Sequence, residues 1–288
     1  MMQRDQRHTD ETPQLAASAE SPIAVFDSGL GGLTVVRELS RVMPSEDILY
    51  FGDTARVPYG SKSPQTVQRF SLEIARFLLR QAPKMLVVAC NTASAAARDV
   101  LEHSVPLQVV DVIQPGAAAA VERTAGPIGV IGTEGTIASG AYQRAVAALD
   151  ASRVVHAAAC PLLVPIVEEG RSENDPIVLS VLAEYLRDMQ RARLGALILG
   201  CTHYPLLSEA IARVMGPGVP LISSGQAAAR EVQRRLGLAG AAATRNYSGR
   251  LVCFTTDMPD RFARMGERFG GRRIAEVRHV STDELEHS

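Results

Sequence analysis

The strongest constraint on the fold is a series of short apolar segments with helical patterns between them. The segments are PIAVFDS (22–28), DILYFG (47–52), KMLVVAC (84–90), LQVVDV (107–112), PIGVIGT (127–133), RVVHAAA (153–159), LGALILG (194–200), VPLIS (219–223) and RLVCFTT (250–256). Several are continuously apolar, as strands covered on both faces must be. Val67, Phe70, Ile74, Phe77 and Leu78 follow a three-to-four spacing. Ser63-Pro64 adds an N-cap and a proline at the first helical position, so a helix is predicted over 63–81. Ile177, Val181, Tyr185 and Met189 form a second stripe, over 175–190, begun by Asp175-Pro176. Strand–helix alternation of this kind gives α/β architecture with largely parallel sheets.

The series also repeats. PIAVFDS (22–28) is similar to PIGVIGT (127–133), and VVACNT (87–92) to ILGCTH (198–203). Pro22 precedes Cys90 by 68 residues, and Pro127 precedes Cys201 by 74. This predicts two similar, pseudo-symmetric lobes, each a mostly parallel sheet flanked by helices, with a cleft between them.

Composition excludes several classes. Thirty basic and 31 acidic residues nearly cancel, which gives no electrostatic reason to expect nucleic acid or an anionic membrane as a partner. The longest mostly apolar stretch, 154–167, is broken by His156 and two prolines and is too short for a membrane span. Residues 1–21 lack the apolar core of a secretory signal and read as a disordered extension. Four cysteines (90, 160, 201 and 253) without such a signal fit a reducing cytoplasm. Lys62 and Lys84 are the only lysines beside 28 arginines. Lys84 opens its strand, the wrong end for a site, and Lys62 falls in a loop, so no pyridoxal cofactor is expected.

In open parallel sheets, ligands bind beyond the carboxyl ends of strands. Asp27-Ser28, Asp53, Cys90-Asn91-Thr92 and Cys201-Thr202-His203 all stand at such ends. Facing lobes would put one thiol on each wall of a cleft. A thiol can give a proton and its thiolate can take one at cellular pH. Two of them on opposite sides of a carbon can invert it, which is racemase or epimerase chemistry. Ser28, Asn91, Thr92 and Thr202 are short hydrogen-bonding groups suited to amino and carboxylate functions. Asp27 and His203 can balance the thiol protons or pair with a substrate ammonium. Gly29-Leu30-Gly31-Gly32 opens a helix but departs from the dinucleotide fingerprint at Thr34. Cys160, Cys253 and His156 read as packing residues. Two other classes stay open: a metal-dependent hydrolase built on Cys90, Cys201, His203 and Asp27, and a two-lobed binding protein without catalysis. No C-x2–4-C pair supports a structural zinc site.

Longer segments sharpen the reading. FDSGLGGL (26–33), FGDTARVPYG (51–60), ACNTASA (89–95), IGVIGTEGTIASGAY (128–142), CPLLVPIVEEG (160–170), LGCTHYPLL (199–207) and FTT (254–256) resemble those of the glutamate racemases, within the cofactor-independent aspartate/glutamate racemase superfamily. The resemblance implies interconversion of L- and D-glutamate without cofactor or metal, in a bacterial cytoplasm, supplying D-glutamate for peptidoglycan. Aspartate is the alternative substrate. It implies that Cys90 takes the α-proton of D-glutamate and Cys201 that of L-glutamate. Asp27 would assist Cys90, His203 would assist Cys201, and Glu168 would be a further carboxylate near Cys201. Substrate contacts would come from Asp27, Ser28, Tyr59, Gly60, Asn91, Thr92, Thr202 and His203. Lobe one would be 22–113 plus 224–288 and lobe two 114–223, in a homodimer. The chain departs from the family in its N-terminal extension and in Asp257-Met258, where Gly-Asp is common.

Overall fold

The computed structural model describes residues 18–271, 273–274 and 276–287. The strands are β1 (Ile23–Asp27), β2 (Ile48–Gly52), β3 (Met85–Val88), β4 (Val109–Asp111), β5 (Ile128–Gly132), β6 (Val155–Ala159), β7 (Ala196–Gly200), β8 (Leu221–Ser223), β9 (Leu251–Thr255) and β10 (Val277–His279). They form two sheets, β10-β9-β2-β1-β3-β4 and β6-β5-β7-β8, and every neighbouring pair is parallel. The order β2-β1-β3-β4 recurs as β6-β5-β7-β8. The sequence repeat is therefore a repeat of topology: β1 corresponds to β5 and β3 to β7.

Strand side chains alternate between faces. Ala24 and Phe26 pack with Phe51, Val88 and the helix Pro64–Leu79 on one face of the first sheet. Ile23, Val25 and Val87 face the other way, into a cluster that also holds Leu197, Leu199, Ala228 and Val232. That cluster joins the two sheets into one apolar core. Each fully buried large side chain in it contributes roughly 1.5–3 kcal/mol. The helix Pro64–Leu79 starts as predicted, with the Ser63 hydroxyl accepting from the Thr66 amide.

Four local expectations change. The stretch 175–190 is two helices, Pro176–Tyr185 and Arg187–Arg191, with a break at Leu186. Its buried stripe is Val178, Leu182, Leu186 and Met189, while Ile177 is 50% exposed. Both rows are apolar and share Met189; the helix is turned so that Val178, Leu182 and Leu186 face the core and Val181 and Tyr185 are half-buried at its margin. His156 is only half-buried, because β6 is an edge strand. β10 was not anticipated; it is three residues long, and Arg278 and His279 are exposed. Of the expected disordered extension 1–21, residues 1–17 lie outside the described residues. Residues 18–21 form a turn held to the body: Lys84 donates to the Ala19 carbonyl at 2.6 Å, and Glu20 pairs with Arg245 at 2.6 Å. At the departure Asp257-Met258, Met258 takes a left-handed backbone with φ 36° just before the helix Pro259–Gly270.

Lys84 is a structural residue. Its buried ammonium meets Glu46 at 2.5 Å and the carbonyl of Ala241 at 2.9 Å, at the amino end of β3. Lys84→Ala leaves the Glu46 carboxylate buried without its cation and should cost about 3–5 kcal/mol, read by chemical denaturation. Replacing both partners with methionine should cost clearly less.

Candidate active site

Each sheet has one point at which successive connections depart in opposite directions. From β1 the chain moves outward to β2, then returns to the far side of β1 to form β3. The gap beyond the carboxyl ends of β1 and β3 is thus a topological switch point, where open α/β sheets bind ligands. β5 and β7 make the second such point. The two meet in a single cavity of about 400 Å³. Ser28 and Cys90 reach it from the first sheet, and Thr133 and Cys201 from the second. Tyr59, Gly60, Asn91, Thr92, Glu168, Thr202 and His203 also line it. Every expected site residue except Asp27 is therefore at one cavity.

The two thiols differ in surroundings. Cys90 caps the helix Asn91–Ser104, its sulfur accepting from the Ala93 amide at 3.4 Å and lying 3.8 Å from the Ser28 hydroxyl. Burial, and then the charge of Asp27, push the Cys90 thiol up to about 12, against the hydrogen bonds of Ala93 and Ser28. A thiol held up in this way is a neutral acid. Cys201 is followed by a short 3-10 turn, Tyr204–Leu207, and its sulfur lies 3.8 Å from His203 Nδ1. His203 Nε2 lies 3.0 Å from Glu168 Oε1. Burial alone would depress His203, but hydrogen bonds to Cys201 and Glu168 and the nearby Asp27 charge outweigh it and raise it to about 10. The hydrogen bond from His203 in turn lowers Glu168. Cys201 thus has an imidazolium within reach that can supply or reclaim a proton.

Asp27 differs from expectation. It is fully buried and does not line the cavity. Its Oδ2 accepts from the Gly29 amide at 3.0 Å and its Oδ1 from the Thr202 hydroxyl at 3.5 Å. The tight turn after β1 folds the carboxylate beneath the floor of the cavity, where it meets the hydroxyl of the lining residue Thr202. Burial raises its pKa, opposed by the charge of His203 and by hydrogen bonds. Tyr59 also differs in detail: its hydroxyl donates to Asp53 at 2.5 Å, so that group is committed inside the protein.

Asn91 is oriented by Tyr142, whose hydroxyl donates to Oδ1 at 2.7 Å. Its buried Nδ2 has no hydrogen-bond partner among the described residues, which leaves two N–H donors for a ligand. Thr133 and Glu134 line the cavity but were missed as site residues. Thr133 was findable, because the repeat aligns it with Ser28; its hydroxyl lies 2.9 Å from that of Thr92. Glu134 has no counterpart signal. The thiols of Cys160 and Cys253 are fully buried in the core shared by the sheets. Among the described residues, no three His, Cys, Asp or Glu side chains gather as a metal site.

The Asp/Glu/Hydantoin racemase family model matches residues 32–232. The chain belongs to this racemase family. A glutamate racemase of Geobacter metallireducens is 47% identical over 263 residues, spanning 91% of this chain and 97% of that one. A glutamate racemase isoform of Bacillus anthracis superposes with a TM-score of 0.88 at 42% identity, over 92% of this chain and 98% of that one. The Francisella tularensis glutamate racemase, solved in complex with D-glutamate, superposes at 0.86 with 37% identity, over 94% and 100% of the two chains. The superposed glutamate racemases thus cover both sheets.

Gly31 sets how closely the two switch points approach. A Cβ there would lie 2.2 Å from Thr202 Oγ1 and 2.5 Å from His203 Nδ1. Gly31→Ala should lower turnover on the order of 10²-fold while circular dichroism stays native, since an ångström of misplacement has that effect. His203 gives a pH signature. Its folded pKa is raised to about 10. Its stabilisation is therefore complete below the unfolded value near pH 6.5 and is lost as pH rises through about 10. The stability gap between wild type and His203→Gln should narrow from pH 7 to pH 10 in denaturant titrations.

Proposed function

We propose that this chain is a glutamate racemase, interconverting L- and D-glutamate by proton transfer between Cys90 and Cys201 without a cofactor. The observation that carries the reading is that these two thiols, one from each sheet, line one cavity of about 400 Å³. That the relatives are glutamate racemases, one of them solved with D-glutamate, favours glutamate over aspartate. The D-enantiomer so made supplies peptidoglycan. The setting is a reducing cytoplasm, where no disulfide ties up the cysteines: all four are present as thiols. No described helix is long and apolar enough to cross a membrane. The family resemblance supports a homodimer.

The mechanism follows from the geometry. Asn91 Nδ2 and the Thr92 hydroxyl hold the substrate α-carboxylate, while the Thr202 hydroxyl, which donates to Asp27, accepts from the substrate ammonium. As the α-proton leaves, negative charge spreads onto that carboxylate, and preformed donors there stabilise the transition state more than the ground state. With L-glutamate, the Cys201 sulfur takes the α-proton, and the neutral Cys90 thiol returns one to the opposite face. With D-glutamate, the roles reverse. His203, held by Glu168, resets the proton on Cys201. Asp27, beneath the floor, offsets the charge of His203 and of the incoming ammonium. Ser28 holds the Cys90 sulfur, and Tyr59 and Gly60 shape the cavity wall on the same side, Tyr59 packing in the apolar cluster that holds Cys90.

Incubation of the purified protein with D-glutamate in heavy water should yield L-glutamate carrying deuterium at the α-carbon, with nothing added. A binding protein would give no exchange. Cys90→Ala and Cys201→Ala should each lower racemisation by at least about 10²- to 10⁴-fold, the usual range for a positioned acid or base. Full activity in either variant rules out the two-thiol mechanism. Aspartate assayed in parallel should turn over far more slowly.

A further inference from the structure

The helix Pro259–Gly270 lies between β9 and β10 and so belongs to the first sheet, yet it reaches the Cys201 side of the site. Arg261 and Arg268 are seven residues apart on it, two turns, and share one face. Arg268 donates to the backbone carbonyl of Val167 and, at 3.4 Å, to that of Glu168. These carbonyls end the helix Leu163–Glu168, where a cation complements the helix dipole. Gly170 makes room for the guanidinium. Its φ is +83°, and a Cβ there would lie 2.5 Å from Arg268 Nη1. The next residue, Phe269, sets its ring edge-on to the His203 imidazole, with centroids 5.3 Å apart. Two adjacent residues thus touch both members of the Glu168–His203 pair, from the opposite sheet. Arg268 itself does not line the reaction cavity.

We infer that Arg268 is a positioning residue: it fixes the helix end that carries Glu168, while Phe269 fixes the His203 ring, and together they keep the Glu168–His203–Cys201 chain in register. The inference rests on the racemase reading and assigns a role that serves one of the two thiols. The charges of Arg261 and Arg268 also help the His203 hydrogen bond hold Glu168 ionised.

Racemisation needs both thiols, so it cannot isolate one. Elimination can. With 3-chloroglutamate, one base removes the α-proton, the C–H pair forms the Cα=Cβ bond, and chloride leaves with its own pair. The enamine then takes a proton at Cβ, and water converts the imine to 2-oxo acid and ammonium. The L-enantiomer reports on Cys201 and the D-enantiomer on Cys90. Arg268→Met should slow 2-oxo acid release from the L-enantiomer by about tenfold to a hundredfold and leave the D-enantiomer within about twofold. The basic limb of the L-side pH profile should move to lower pH, because His203 loses its carboxylate partner. Arg268→Lys, which keeps the charge but not the fork, should show a smaller loss confined to the L-enantiomer.

Equal partial slowing of both enantiomers in a natively folded Arg268→Met, or none, overturns the inference. If Arg268→Met loses both activities, Arg268→Lys decides: a loss confined to the L-enantiomer supports the role, and any other pattern overturns it. A wild-type protein that neither racemises glutamate nor releases 2-oxo acid overturns the racemase reading itself. A wild type active on both enantiomers, with an unchanged ratio in the variants, overturns this inference alone.

Discussion

The close approach between the turn after β1 and the segment Cys201-Thr202-His203 governs the rest of the structure. Thr34 Oγ1 lies 2.9 Å from the Thr202 carbonyl, and the Thr202 hydroxyl reaches Asp27. These contacts dock one switch point against the other. Either sheet alone would present half a crevice with one thiol. Docked, they enclose a cavity with an acid or base on each side, and the apolar cluster shared by the sheets holds that arrangement from behind. Catalytic geometry here is thus a consequence of packing between repeats and not of any single loop.

The repeat is symmetric in topology and asymmetric in chemistry. At the end of β1 stands Asp27, and at the matching place on β5 stands Gly132. Two residues after Cys90 stands Thr92, and two after Cys201 stands His203. Cys90 therefore sits on the N-terminus of a 14-residue helix with a carboxylate behind it. Cys201 lacks such a helix and has an imidazole instead. A reaction whose substrate and product are mirror images does not require mirror-image acids. The proposed mechanism requires only that each thiol be able to both take and give the proton, and it asks this of two thiols with different local partners.

Much of this was legible in the sequence. Nine strands could be read because each is a compact apolar run between turn residues, and the repeat paired β1 with β5 and β3 with β7. The reactive set could be read because short polar residues directly follow apolar strands, as at Cys90-Asn91-Thr92. What was hidden depends on the third dimension. Asp27 sits at a strand end like a ligand group, but the glycine-rich turn bends it under the floor. Tyr59 looks available until Asp53 takes its hydroxyl. β10 is too short and too charged to announce itself, and Arg268 and Phe269 lie 67 and 68 residues beyond Cys201, in a helix whose periodicity reports burial and not partnership.

The site also departs from a stability optimum. Asp27 and His203 are ionisable groups buried side by side, and a buried pair of this kind gains from mutual attraction only part of what desolvation takes away. Asn91 adds a buried amide donor left without a partner among the described residues. An apolar core of the same shape would fold more firmly and would do nothing. The cost is borne elsewhere, by continuous apolar strands such as β1, β5 and β7, in which every residue is buried. This division of labour explains why the polar residues cluster at the carboxyl ends. That is the edge of each sheet where backbone amides and helix starts are already exposed to a ligand, so charge can be introduced there without interrupting the layers that hold the fold together.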